Sequence, residues 1–155
     1  MTDWGVREWL EALAYLVAIL GGIAAAFMYF QGARKDAISV ARKEIARAWT
    51  NEGDITSTET RFITLELKDK SGDLIGSLST NAYDRPLEVY ADVGWFSTRL
   101  DISELRGRNV VSVATAKVTL TGNNNRLEWR LTGSQGTEIL PKQTVLWPSE
   151  VGVSH

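Results

Sequence analysis

The chain of 155 residues has no cysteine, a single histidine (His155), three prolines and two methionines. Without cysteine there is no disulfide framework and no thiolate chemistry or thiolate metal site. With one histidine, and that one at the last position, neither a Ser-His-Asp nor a Cys-His constellation can be assembled, and a transition-metal site lacks its usual ligands. His155 reads as an exposed terminal residue. No P-loop or dinucleotide fingerprint is present: Gly32, Gly53, Gly72 and Gly76 are scattered, and no strand leads into a helix at the required spacing. Asp69 and Asp73 pair within a turn, where carboxylates are common turn formers. The sequence therefore reads as non-enzymatic, with no metal or cofactor implied.

One long uncharged run organises the chain. Ala12 to Phe30 carries nineteen residues without a charge, between Glu11 and the Gln31-Gly32-Ala33-Arg34-Lys35 segment. At ~1.5 Å rise per residue it reaches about 28 Å, close to the ~30 Å hydrocarbon thickness of a bilayer. Unpaired backbone groups are costly in lipid, so a lone segment of this length must be helical. The alternative is a buried core helix, but no other part of the chain could wrap it. A cleaved signal peptide is disfavoured: the preceding MTDWGVREWLEA is net acidic, and the run continues through Phe27 to Phe30 beyond the small residues Ala24 to Ala26. Trp4, Trp9, Tyr15 and Tyr29 sit where interfacial aromatics would. Ala14, Ala18, Gly22 and Ala26 form a four-residue repeat of small side chains, which lets helix backbones approach in lipid and predicts self-association.

Charge is laid out unevenly around this run. The net −2 divides into −2 over residues 1–31, +3 over 32–47 and −3 over 48–155. Arg34, Lys35, Arg42, Lys43 and Arg47 form the basic excess. By the positive-inside rule they place the C-terminal side in the cytoplasm of a single-pass protein, with the N-terminus outside. Residues 34–49 keep helical spacing through Ala37, Ile38, Ala41, Ile45, Ala48 and Trp49, so the expected organisation is a transmembrane helix (1–33), a basic helical connector (34–48) and a cytoplasmic β domain (49–155).

Beyond Asn51, Gly53 and Asp54 the period becomes two. Strands are expected around 49–55, at 61–68, 74–80, 87–93, 95–102, 110–121 and 126–132, and around 143–147. Breaks are expected at 69–73, 81–86, 103–109, 122–125 and 133–136. Eight short strands joined mostly by hairpins avoid exposed edges best as an up-and-down antiparallel β-barrel, with a sandwich as the other possibility. An eight-stranded barrel can be filled by side chains or hold one small ligand. Ile63, Leu65 and Leu67, Leu87, Val89, Ala91 and Val93, and Leu127, Trp129 and Leu131 are expected to point inward.

Binding chemistry rests on aromatics that can stack on a planar base and on cations that can hold phosphate. Tyr83, Tyr90, Trp95, Trp129 and Trp147 supply the first; Arg85, Arg99, Arg106, Arg108, Lys117, Arg126 and Arg130 supply the second. Each has a plainer reading, as core for Trp129 and Trp147, as solvated strand face for Arg126 and Arg130, or as a turn for Arg106-Gly107-Arg108. Arg99 is the best single candidate, because Trp95, Ser97 and Arg99 would share one strand face. Tyr90, Trp95, Arg99, Arg106, Arg108 and Lys117 make up the candidate ligand set. A DNA or RNA polymer is excluded as partner by the net acidity of the domain.

The order of parts, a membrane helix, a short basic connector and an eight-stranded domain opening near Ala48-Trp49 and running through FITLELKDKSGDLIGSLS, resembles the membrane-anchored β-barrel effectors of bacterial anti-phage signalling, the CD-NTase-associated type of CBASS. That resemblance implies a lipocalin-like barrel that binds a cyclic oligonucleotide, oligomerises in the inner membrane and disrupts it. Members of that family usually have two membrane helices, whereas this chain has one clear span. A membrane-tethered scaffold that recruits a protein partner is the reading from a different class.

Overall fold

A computed structural model describes residues 4–53, 60–123, 125–134 and 139–149. One helix precedes eight strands: α1 (Trp4–Ile45), β1 (Ala48–Thr50), β2 (Ile63–Lys70), β3 (Asp73–Thr80), β4 (Tyr83–Val93), β5 (Thr98–Arg106), β6 (Asn109–Thr121), β7 (Arg126–Ser134) and β8 (Gln143–Pro148). The chain divides into two units, residues 1–37 and 38–155.

The first unit is a single helical rod. Ala12 to Phe30 lies wholly within α1, and every residue of the run is exposed, including Leu16, Ile19, Ile23, Phe27 and Phe30. This removes the buried-core alternative: none of the apolar window is buried inside the chain. The helix does not stop at the end of the run. It continues through the basic connector without a break and ends with Arg42 and Lys43 in its last turn, where cations complement the helix dipole.

In the second unit, the last turns of α1 pack on the barrel. Ile45 is buried in the core, and Ile38, Ala41 and Ala46 lie against it. The Trp49 indole N–H donates to the Ile45 carbonyl at 3.0 Å, satisfying one of the carbonyls that a helix end leaves without an intrahelical partner. The Arg47 guanidinium stacks over the Trp49 ring at 4.5 Å.

The eight strands close in sequence order, each antiparallel to the next, and β1 pairs with β8 to complete an up-and-down barrel. Alternation sets the interior. Ile63, Leu65 and Leu67, Leu87, Val89, Ala91 and Val93, and Leu127 and Trp129 all point inward and are buried, as expected; Leu131 is half-buried against the same core. Trp49, Leu65, Leu78, Leu100, Ala116, Val118, Leu127, Trp129 and Leu146 have no exposed surface, so the barrel is packed with side chains. Burial of each large apolar side chain contributes about 1.5–3 kcal/mol before conformational entropy is set against it.

Several expected boundaries are corrected. The β2–β3 turn is only Ser71-Gly72, both at positive φ (56° and 98°), the two-residue hairpin turn whose twist matches its strands. The expected break at 81–86 is a tight turn, with β4 already under way at Tyr83. Pro86 sits in a bulged stretch: β3 and β4 pair at Thr80/Tyr83 and next at Leu78/Leu87, so the missing N–H of proline disrupts no ladder bond. The expected loop at 103–109 shrinks to Gly107-Arg108, because β5 runs to Arg106. Trp95 lies in the β4–β5 turn, not on a strand, so the shared face of Trp95, Ser97 and Arg99 does not form. The first strand ends at Thr50, short of the expected 49–55; residues 54–55, like His155, lie outside the described residues.

Candidate functional site

The outer face of β5, β6 and β7 carries a row of cations. Strand register places Asp92 opposite Arg99, Arg99 opposite Lys117, Lys117 opposite Arg130, and Arg130 opposite Gln143. Adjacent strands lie about 4.8 Å apart, so three positive side chains stand side by side. Like charges directly opposite each other are destabilising by roughly 0.2–1 kcal/mol per pair. Asp101 offsets part of this: its carboxylate accepts from Arg99 Nε at 3.0 Å, and both groups are substantially exposed. Among the described residues, Lys117 and Arg130 have no ion-pair partner.

Beside the row lies a groove of about 350 Å³ lined by Asp92, Gly94, Ser97, Arg99, Thr115, Ala116, Lys117 and Thr132. Its shape depends on a bulge. Thr115 pairs with Gly133 and Ala116 with Leu131, which leaves Thr132 as the extra residue of β7. The Thr115 and Thr132 hydroxyls lie 3.1 Å apart, and Thr132 Oγ1 also donates to the Thr115 carbonyl at 3.1 Å. A Cβ at Gly133 would come within 2.8 Å of Thr115 Oγ1, so glycine permits this approach. The groove thus offers two cations, three hydroxyls and one carboxylate.

A second polar cluster sits where β4 and β5 part. Their pairing ends at Glu88/Ser103, leaving 83–87 and 104–106 without a mutual ladder. Side chains bridge that gap: the Tyr83 hydroxyl donates to Glu104, and Arg106 Nε donates to the other carboxylate oxygen at 2.6 Å. Glu104 is 6 % exposed and points inward from β5. The Tyr83 hydrogen bond, with help from Arg106, holds its carboxyl below the usual range, while the same bond raises the Tyr83 phenol. A cavity of about 160 Å³ opens here, walled by Leu87, Val111, Val113 and Ile139.

The candidate ligand residues are therefore separated. Arg99 and Lys117 are brought together in one groove. Trp95 stands in the turn between Gly94 and Ser97, stacked on Phe96 with ring centroids 5.4 Å apart and planes 4° from parallel. Tyr90 lines a different groove of about 540 Å³ with Lys68, Lys70 and Ser103. Arg106 is committed to Glu104, and Arg108 is exposed in the β5–β6 turn. Of the aromatics, Trp129 is core, its indole N–H donating to the Pro141 carbonyl at 2.9 Å, whereas Trp147 is partly exposed beneath the Arg126 guanidinium. Glu104 and Phe96 were missed. Glu104 follows Thr98, Leu100 and Ile102 at period two, so its inward position was legible once β5 was extended beyond Ile102.

No protein-family model, characterised protein or solved structure matches this chain.

Proposed function

We propose that this chain is a non-enzymatic membrane-anchored receptor and effector. The charge-free run of α1 anchors it in the bacterial inner membrane with the N-terminus outside. The cytoplasmic barrel senses a cyclic oligonucleotide, and the Ala14, Ala18, Gly22 and Ala26 face assembles copies that disrupt the membrane in anti-phage defence. One observation carries the anchor: an apolar run of bilayer length stands fully exposed on the helix whose end packs on a closed barrel. Exposed apolar surface on this scale is unfavourable in water and favourable in lipid. The nucleotide is the part of the reading supplied by the resemblance, and the cations and hydroxyls on β5–β7 are chemically suited to its phosphates.

The packed interior favours the second reading, a membrane-tethered scaffold that recruits a protein partner, over a ligand enclosed within the barrel. Calorimetric titration of cyclic di- and trinucleotides into the full chain, held in neutral-lipid nanodiscs, separates the two. Saturable heat supports the receptor; its absence with every cyclic nucleotide leaves the scaffold.

A further inference from the structure

We infer that the barrel takes its ligand on the outside, with phosphate groups held on the Arg99–Lys117–Arg130 row of β5–β7. This rests on the receptor reading above and adds to it the location and the chemistry of the site.

Four observations converge on that face. Three cations occupy directly opposed positions on adjacent strands, an arrangement that is self-repulsive until an anion lies over it. Asp101 and Asp92 face Arg99, so the uncompensated charge centres on Lys117 and Arg130, with Glu128 further along β7. The adjoining groove adds the Ser97 hydroxyl, which can donate to a phosphate oxygen, and at its wall the β7 bulge sets Thr132 on Thr115, their hydroxyls bonded to each other and that of Thr132 also to the Thr115 carbonyl. At the β4–β5 turn, between two residues that line the groove, stands an exposed stacked aromatic pair. Phe96, 82 % exposed, is the most exposed large apolar side chain described in the barrel unit. The exposed Phe96 ring offers a surface on which a planar base can stack. The cavity beside the inward-pointing Glu104 is smaller, about 160 Å³, and Trp49 and Trp129 are wholly buried in the core.

The required chemistry is a compact ligand bearing phosphate, with a planar group within reach of the turn. Phosphate could also come from a lipid headgroup, and the experiment distinguishes the sources. Full-length protein in neutral-lipid nanodiscs is titrated with cyclic di- and trinucleotides and with inorganic pyrophosphate. The comparison uses wild type, Lys117→Ala/Arg130→Ala, the charge-keeping Lys117→Arg, and Arg126→Ala as an off-row control. The expected result is cyclic-nucleotide binding that weakens at least tenfold in the double variant, persists in the other two and falls with added salt. Nucleotide binding unchanged in the double variant overturns the outer site while leaving the receptor standing. Pyrophosphate binding lost in the double variant, with no cyclic nucleotide bound by wild type, upholds the phosphate site and overturns the receptor reading. Binding of neither probe overturns both. Pyrophosphate binding in neutral nanodiscs that is lost in phosphatidylglycerol ones, with no cyclic nucleotide bound in either, assigns the row to headgroups and overturns the soluble ligand.

Discussion

Asn51 reaches across the closing seam of the barrel to Thr144, its Nδ2 lying 3.3 Å from the threonine hydroxyl. The same amide donates to the Arg61 carbonyl at 3.0 Å, and its Oδ1 accepts from the Ile63 N–H at 2.7 Å. Asn51 therefore ties β1 to β2 and β8 where the β1–β8 ladder has only two paired positions. Asn51→Ala strands these buried partners and is expected to destabilise the protein by about 2–4 kcal/mol. Asn51→Asp keeps the acceptor but loses the amide donor and also destabilises. Urea unfolding followed by tryptophan fluorescence measures both.

Gly76 packs against the β2 backbone so closely that an added Cβ would fall 1.7 Å from the Glu66 carbonyl oxygen. Backbone cannot move aside as a flexible side-chain tip can. Gly76→Ala is expected to cost about 1–3 kcal/mol, read as a lowered melting temperature.

The Tyr83–Glu104–Arg106 cluster makes a pH prediction. The folded pKa of Glu104 lies below its unfolded value, so its contribution is present above the unfolded pKa of roughly 4.3 and is lost as pH falls through the folded value. Glu104→Gln should be less stable than wild type at neutral pH, and the gap should close as both are acidified below about pH 4. A constant gap across that range would mean that ionisation of Glu104 does not matter.

Much of the barrel was legible because period-two alternation is a direct consequence of one buried sheet face. Ile63, Leu65 and Leu67 show it without interruption, and the Gly122–Asn125 turn marks the hairpin between β6 and β7. The errors came where one residue carries two meanings. Pro86 signals a break in most strands, yet a bulge accommodates it. Arg106-Gly107-Arg108 resembles a loop because glycine and charge are common there, yet β5 runs to Arg106 and only the next two residues turn. The candidate site was partly legible: Arg99 and Lys117 were named, but their adjacency to each other and to Arg130 depends on register between strands distant in sequence. The Trp95 stacking partner, Phe96, was hidden by placing both residues on a strand.

Self-association through the helix is tested at Gly22. No other residue approaches a Cβ built there, so a larger side chain fits the monomer. Gly22→Leu should keep the chain in the membrane while reducing cross-linked oligomers several-fold, because the bulkier residue holds the helices apart. An unchanged cross-linking ladder would move assembly elsewhere.

The most direct test of the account is the partitioning of the full chain between membrane and water. Cell membranes carrying it are floated on a density gradient and then washed with alkaline carbonate. The account predicts that the protein floats with lipid and stays there through the wash, leaving only on addition of detergent. Recovery of folded protein in the aqueous fraction without detergent would contradict it.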